Sequence, residues 1–150
     1  MDPEVIYNSA SDLFEKSVLP CRLGEIVEED FPDKLRGPWH LVVQKVKYDN
    51  SYHLADCIIF TELDYCGRRR VSGILICDGF RYSILNINRR TKYWEAEEIL
   101  IKNGFLCVGI AGYHLLFCRE HIWVDILTSE EGGVEKSCLY YREHETARAN

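Results

Sequence analysis

His114, Cys118 and His121 stand close enough in the chain for two imidazoles and a thiolate to share one zinc ion. No C-x-x-C pair and no H-x-x-x-H pair stands nearby to complete such a set, so the residues point to no metal. Seven cysteines and five histidines always allow some nucleophile–base pair, but nothing marks one of these thiols as an electropositive, solvent-open thiolate. Glu62 and Asp64 alternate on one face of an expected strand and could flank a substrate as acid and base. The simpler reading makes them outward-facing polar positions. The stretch "GIAG" (109–112) lacks the length and the lysine of a phosphate-binding loop. The chemistry-bearing residues therefore indicate a protein that is not an enzyme and carries no cofactor.

A second group is more unusual. Between positions 68 and 92 the chain carries Arg68, Arg69, Arg70, Arg81, Arg89, Arg90 and Lys92 against only Asp78. If 70–77 and 80–87 form a hairpin, both arginine sets meet at one end of it. The expected result is an anion-binding rim of Arg68, Arg69, Arg70, Arg89, Arg90 and Lys92, on a chain whose net charge is −6. Arginine forks beside Tyr65, Tyr82, Tyr93 and Trp94 suit phosphate and stacking contacts to RNA or anionic headgroups. Pairing with the acidic stretch at 25–33, or with Glu95, Glu97 and Glu98, would instead leave them a solubilising surface.

What positions these groups is a series of short apolar runs with turn punctuation. The chain has 150 residues, 47% hydrophobic and 28% charged, which suits one globular domain. Its expected organisation is a short N-terminal helix and acidic connection (1–36), a β-rich unit (37–142) and a tail (143–150). The helix is expected around Asp12–Lys16, with Leu13, Phe14 and Val18 on its apolar face. Runs at 39–48, 54–65, 70–77, 80–87, 93–101, 105–118, 121–128 and 137–141 follow. In the second, Ile59, Thr61, Leu63 and Tyr65 face one way; in the seventh, Ile122, Val124 and Ile126 do. The run 93–101 also fits a helix. Asp78-Gly79 and Asn103-Gly104 are hairpin-type dipeptides, "SEEGGVE" (129–135) is a longer hairpin loop, and Gly109 and Gly112 mark a bulge or a break. The expected fold is mainly β, an antiparallel meander closing into an eight-stranded barrel or a sandwich.

The stretch "GPWHLVV" (37–43) adds a specific feature. A Gly-x-Trp at the head of the first strand, followed by a meander, resembles the lipocalin family. The resemblance implies that Trp39 plugs the closed end of the barrel and that Arg142, from "CLYYRE", packs across its indole. The family's Thr-Asp-Tyr before the seventh strand is absent, and "CREH" (118–121) stands in its place.

Two functions follow as expectations. The first is a non-enzymatic carrier whose barrel interior, lined by Ile59, Leu75, Tyr82, Ile84, Val108, Leu116 and Val124, holds a small hydrophobic molecule. The second is an accessory, matrix or adaptor protein of viral type. It would bind RNA, an anionic membrane or an acidic protein through the arginine rim, with homo-oligomers possible. The opening stretch "MDPEVIYNSASDLF" has no secretory pattern, no run approaches bilayer length, and the odd set of cysteines sits mostly in apolar runs. The expected location is cytoplasmic, with no transmembrane segment.

Overall fold

The computed structural model describes residues 3–36, 44–46 and 50–142. The alternating runs form eight strands: β1 (Gln44–Val46), β2 (Ser51–His53), β3 (Cys57–Leu63), β4 (Arg69–Ile76), β5 (Leu106–Ala111), β6 (His114–Arg119), β7 (Ile122–Thr128) and β8 (Val134–Tyr141). Every neighbouring pair is antiparallel. The order is β1-β2-β3-β4-β8-β7-β6-β5, two meanders joined through β4 and β8. Closing a barrel needs β1 to pair with β5, and no such ladder exists among the described residues. The expected barrel is therefore corrected to an open sheet. The chain leaves β4 through a helix, so the last strand, not the next one, takes the place beside it.

Two expected strands are absent for local reasons. In 80–87, Leu85 and Asn86 adopt φ of 51° and 63°, which breaks the extended period. There Ile84 bridges Ile87 across the turn, and Ser83 bridges Val18. Asp78 starts this connection by accepting the Phe80 N–H at 2.9 Å, so no hairpin forms at Asp78-Gly79. The run 93–101 lies in α3 (Tyr93–Lys102), rich in Glu, Ala and Leu. At its start the Lys92 N–H donates to Glu95 Oε1 at 3.0 Å. Ala96 and Leu100, one turn apart, are its buried side chains. Asn103-Gly104 ends this helix and is not a hairpin turn: Gly104 takes φ +90° and the Phe105 N–H returns to the Leu100 carbonyl at 3.0 Å.

The other turn expectations hold. The loop 129–133 joins β7 to β8, and the long run 105–118 divides at Gly112 into β5 and β6. A bulge also interrupts the β5–β6 ladder between Cys107 and Gly109.

One sheet face carries Cys57, Ile59, Ile74, Ile76, Leu115, Phe117, Val124, Ile126 and Leu139 into a single core. Leu13, Phe14, Leu19, Leu23 and Phe31 join it from the N-terminal region, Tyr82, Ile84 and Ile87 from the long connection, and Leu100 and Phe105 from α3 and its end. The described residues up to 36 thus include a cover for the core, while Glu28, Glu29, Asp30 and Asp33 of the acidic connection are exposed. This region forms α1 (Pro3–Asn8), α2 (Ser11–Glu15) and a 3-10 helix (Phe31–Lys34). Val18, expected on the apolar helix face, is exposed. β8 pairs with β4 only from Gly73 onward, and the segment at 24–27 takes the place beyond it. There the Gly24 N–H donates to the Val71 carbonyl (2.8 Å), and the Val71 N–H to the Glu25 carbonyl (2.9 Å).

Candidate functional site

The arginine rim does not assemble. Arg70 is 2% exposed at the start of β4. Its Nε donates to Asp64 Oδ2 at 2.7 Å, Nη1 to the Gly24 carbonyl at 2.9 Å and Nη2 to Glu4 Oε1 at 2.5 Å. Arg69 Nη1 donates to Thr61 Oγ1 (3.2 Å), and Arg68 Nε lies 3.5 Å from Asp64 Oδ2. Arg89 and Arg90 are exposed in a turn whose Thr91 carbonyl accepts the Val134 N–H, and Lys92 bridges Gly133. Since Ser137 pairs with Ile76 and Tyr140 with Gly73, that turn lies past the far end of β4 from Arg70. At ~3.3 Å per residue the two arginine sets stand roughly 25–30 Å apart along the strands. The shared rim rested on a hairpin between 70–77 and 80–87 that does not form.

The acid–base pair dissolves in the same way. Glu62 is exposed, while the Asp64 carboxylate accepts from Arg70 and from the backbone N–H groups of Cys66 and Arg68. The Arg70 hydrogen bond holds its pKa below the ordinary carboxylate value. A carboxylate so committed does not serve as a general base.

The expected ligand cavity is also dispersed. Ile59, Tyr82, Ile84 and Val124 are fully packed in the core. Leu75 and Leu116 lie half-buried in a row across the sheet, Ile58–Leu75–Cys138–Asp125–Leu116, whose neighbouring rows hold the core residues. Val108 is exposed on β5. Arg142 does cover an indole: its guanidinium carbon stands 5.0 Å from the Trp123 ring centre and 5.2 Å from that of Tyr140. Trp39 lies outside the described residues.

The histidines and the intervening thiol have separate engagements. His114 Nδ1 meets Asp125 Oδ1 at 3.0 Å, Cys118 donates to the Glu120 carbonyl, and His121 Nδ1 lies 3.3 Å from the Arg142 carbonyl oxygen. Cys21, Cys57 and Cys118 are buried, and burial pushes the Cys21 and Cys57 thiols well up. Cys66 and Cys107 are exposed. A cleft of about 580 Å³ opens beside α1 and α2, lined by Tyr7, Phe14, Arg22, Glu28 and Lys34 among others. Its cations have partners nearby: Arg22 meets Glu15 and lies over the Phe14 ring, Lys34 meets Asp30, and Arg70 meets Asp64 and Glu4.

The feature that sequence reasoning missed is β5. It stands last in the sheet order and pairs only with β6, so one row of its N–H and C=O groups has no strand partner among the described residues. Leu106 is 69% exposed, Ile110 72% and Tyr113 52%, and Val108 is also exposed. From Asn103 to Tyr113 there is no Asp, Glu, Lys or Arg. Proteins usually blunt an edge with such charges, and this uncharged run was the available signal. At the other end of the sheet order, the described part of β1 is Gln44–Val46. Comparison with protein-family models, curated proteins and solved structures finds no match to this chain. No helix among the described residues is long and apolar enough to cross a membrane.

Proposed function

We propose that this chain is a non-enzymatic binding module of the adaptor or assembly class, and that it engages an extended apolar segment by strand addition at β5. The observation that carries this reading is the combination in β5 of an open hydrogen-bonding edge with solvent-exposed Leu106, Val108 and Ile110. Main-chain pairing supplies affinity in this mode, and alternate side chains supply selectivity. The carrier reading has less support, because Ile59, Tyr82, Ile84 and Val124 fill the space a ligand would need. The reading as an enzyme also has less support, because Asp64, His114 and Cys118 each already have a polar partner.

A fluorescent, uncharged decapeptide of alternating valine and threonine serves as a generic strand. Its anisotropy should rise saturably with protein at high dilution. Ile110→Lys should weaken binding about tenfold, and an Arg89→Ala/Arg90→Ala double variant should leave it unchanged. Equal binding by wild type and Ile110→Lys, or no saturable binding by wild type, would contradict the reading.

A further inference from the structure

We infer that the outward face of α3 docks a basic, amphipathic helix of a partner protein, independently of the reading of β5. The helix turns Ala96 and Leu100 into the core. Its other side carries Trp94, Glu97, Glu98, Ile101 and Lys102, at the i, i+3, i+4, i+7 and i+8 spacing of one helical face. These five residues line a groove of about 540 Å³. The outward stripe of such a helix is ordinarily polar, yet Trp94 is 55% exposed and Ile101 50%.

Charge decides what fits between those two anchors. Glu97 and Glu98 share the stripe with one cation, Lys102, whose Nζ stands 3.9 Å from Glu98 Oε1. Both side chains of that pair are highly exposed, so the contact is weak and yields readily to a second cation. Two carboxylates between two large apolar side chains suit a segment that is basic in its middle and apolar on either side. The indole adds to this preference, because its face attracts lysine or arginine. The net charge of −6 steers a basic partner toward the chain.

Spacing sets the partner's form. Trp94 and Ile101 are two helical turns apart, about 10 Å. A second helix laid along α3 repeats that distance. Apolar side chains at its i and i+7 positions meet the two anchors, and lysines or arginines at i+3 and i+4 meet the carboxylates. The described helices of a second copy do not supply this. α1 and α2 have six and five residues and no basic side chain, and a second α3 would bring Glu97 and Glu98 against their own kind.

The probe is an alanine-based peptide of about 18 residues, long enough to hold a helix in solution. It carries leucine at i and i+7, lysine at i+3 and i+4, and a fluorescent label. Its anisotropy should rise saturably with the full chain at low salt. Glu97→Gln/Glu98→Gln, and separately Ile101→Gln, should each weaken binding about tenfold with an unchanged far-UV circular dichroism spectrum. Glu28→Gln/Glu29→Gln removes the same charge from an exposed site elsewhere and should leave binding unchanged. No saturable binding by wild type, equal weakening in the two glutamine pairs, or undiminished binding by Ile101→Gln would overturn the inference. A peptide with proline at its centre should not bind, and equal binding by it would overturn the helical form of the partner.

Discussion

Arg70 Nε and Asp64 Oδ2 are 2.7 Å apart, and both side chains are almost wholly removed from solvent, at 3% and 4% exposure. One belonged to the expected anion-binding rim and the other to the expected acid–base pair. In the folded chain they neutralise each other. Together with Glu4 and the Gly24 carbonyl, they tie α1 and the segment after α2 to the start of β4.

Replacing Arg70 tests how much that tie stabilises the fold. Arg70→Met keeps the aliphatic stem but leaves the Asp64 charge without its main partner. We expect a loss of about 2–3 kcal/mol in urea unfolding. The Arg70→Met/Asp64→Asn double variant should recover part of it, because the unpaired charge is then removed as well.

Acid should weaken the fold in a defined direction. Asp64 is held below the ordinary carboxylate value chiefly by Arg70, and Asp12 chiefly by the Arg119 hydrogen bonds. A depressed native pKa means that the unfolded chain takes up the proton first as pH falls. Stability from these groups is therefore complete above the ordinary carboxylate range and lost progressively below it. Urea midpoints measured from about pH 6 down to about pH 3 should fall. The fall should be shallower in Arg70→Met than in wild type.

Asp56 predicts the opposite sign. Burial raises its pKa first of all, and Asp78 beside it adds to the effect. Its Oδ2 accepts the Arg81 N–H at 3.1 Å, and its carboxyl group also meets the side chain of Asp78. A raised carboxyl favours the protonated form on folding, so its charge opposes stability as pH rises. Asp56→Asn keeps the shape and the acceptor and removes that charge. It should raise Tm by about 2–4 °C at neutral pH, as a gain of about 1 kcal/mol would. A lowered Tm would contradict this account of Asp56.

Arg119 fixes α2 against the sheet. Nη1 and Nη2 reach the two Asp12 carboxylate oxygens at 3.0 and 2.9 Å, and the same nitrogens donate to the Asn103 and Ser9 carbonyls at 2.9 Å. Arg119→Met should cost about 1–3 kcal/mol in stability through the lost charge-assisted hydrogen bonds.

The strands with clear alternation were legible in the sequence because one face of each is buried: Ile122, Val124 and Ile126 entered the core as their spacing required. The loop at 129–135 was equally legible from its glycines. Legibility failed where a local signal had two physical meanings. Asn103-Gly104 supplies positive φ to a hairpin or to a helix end, and α3 decides between them. The run 80–87 alternates in residue type, yet Leu85 and Asn86 turn the chain, and no local pattern announced that. That one segment carried the arginine rim, so the rim fell with it. Long-range placement set the rest: Arg70 is buried because Glu4 and Asp64 reach it from other parts of the chain.

The most direct test of the central claim is amide hydrogen exchange across residues 105–113, measured by mass spectrometry with and without the valine–threonine peptide. The account predicts that added peptide protects β5 and that Ile110→Lys loses that protection. Exchange in β5 that is indifferent to added peptide would contradict the account.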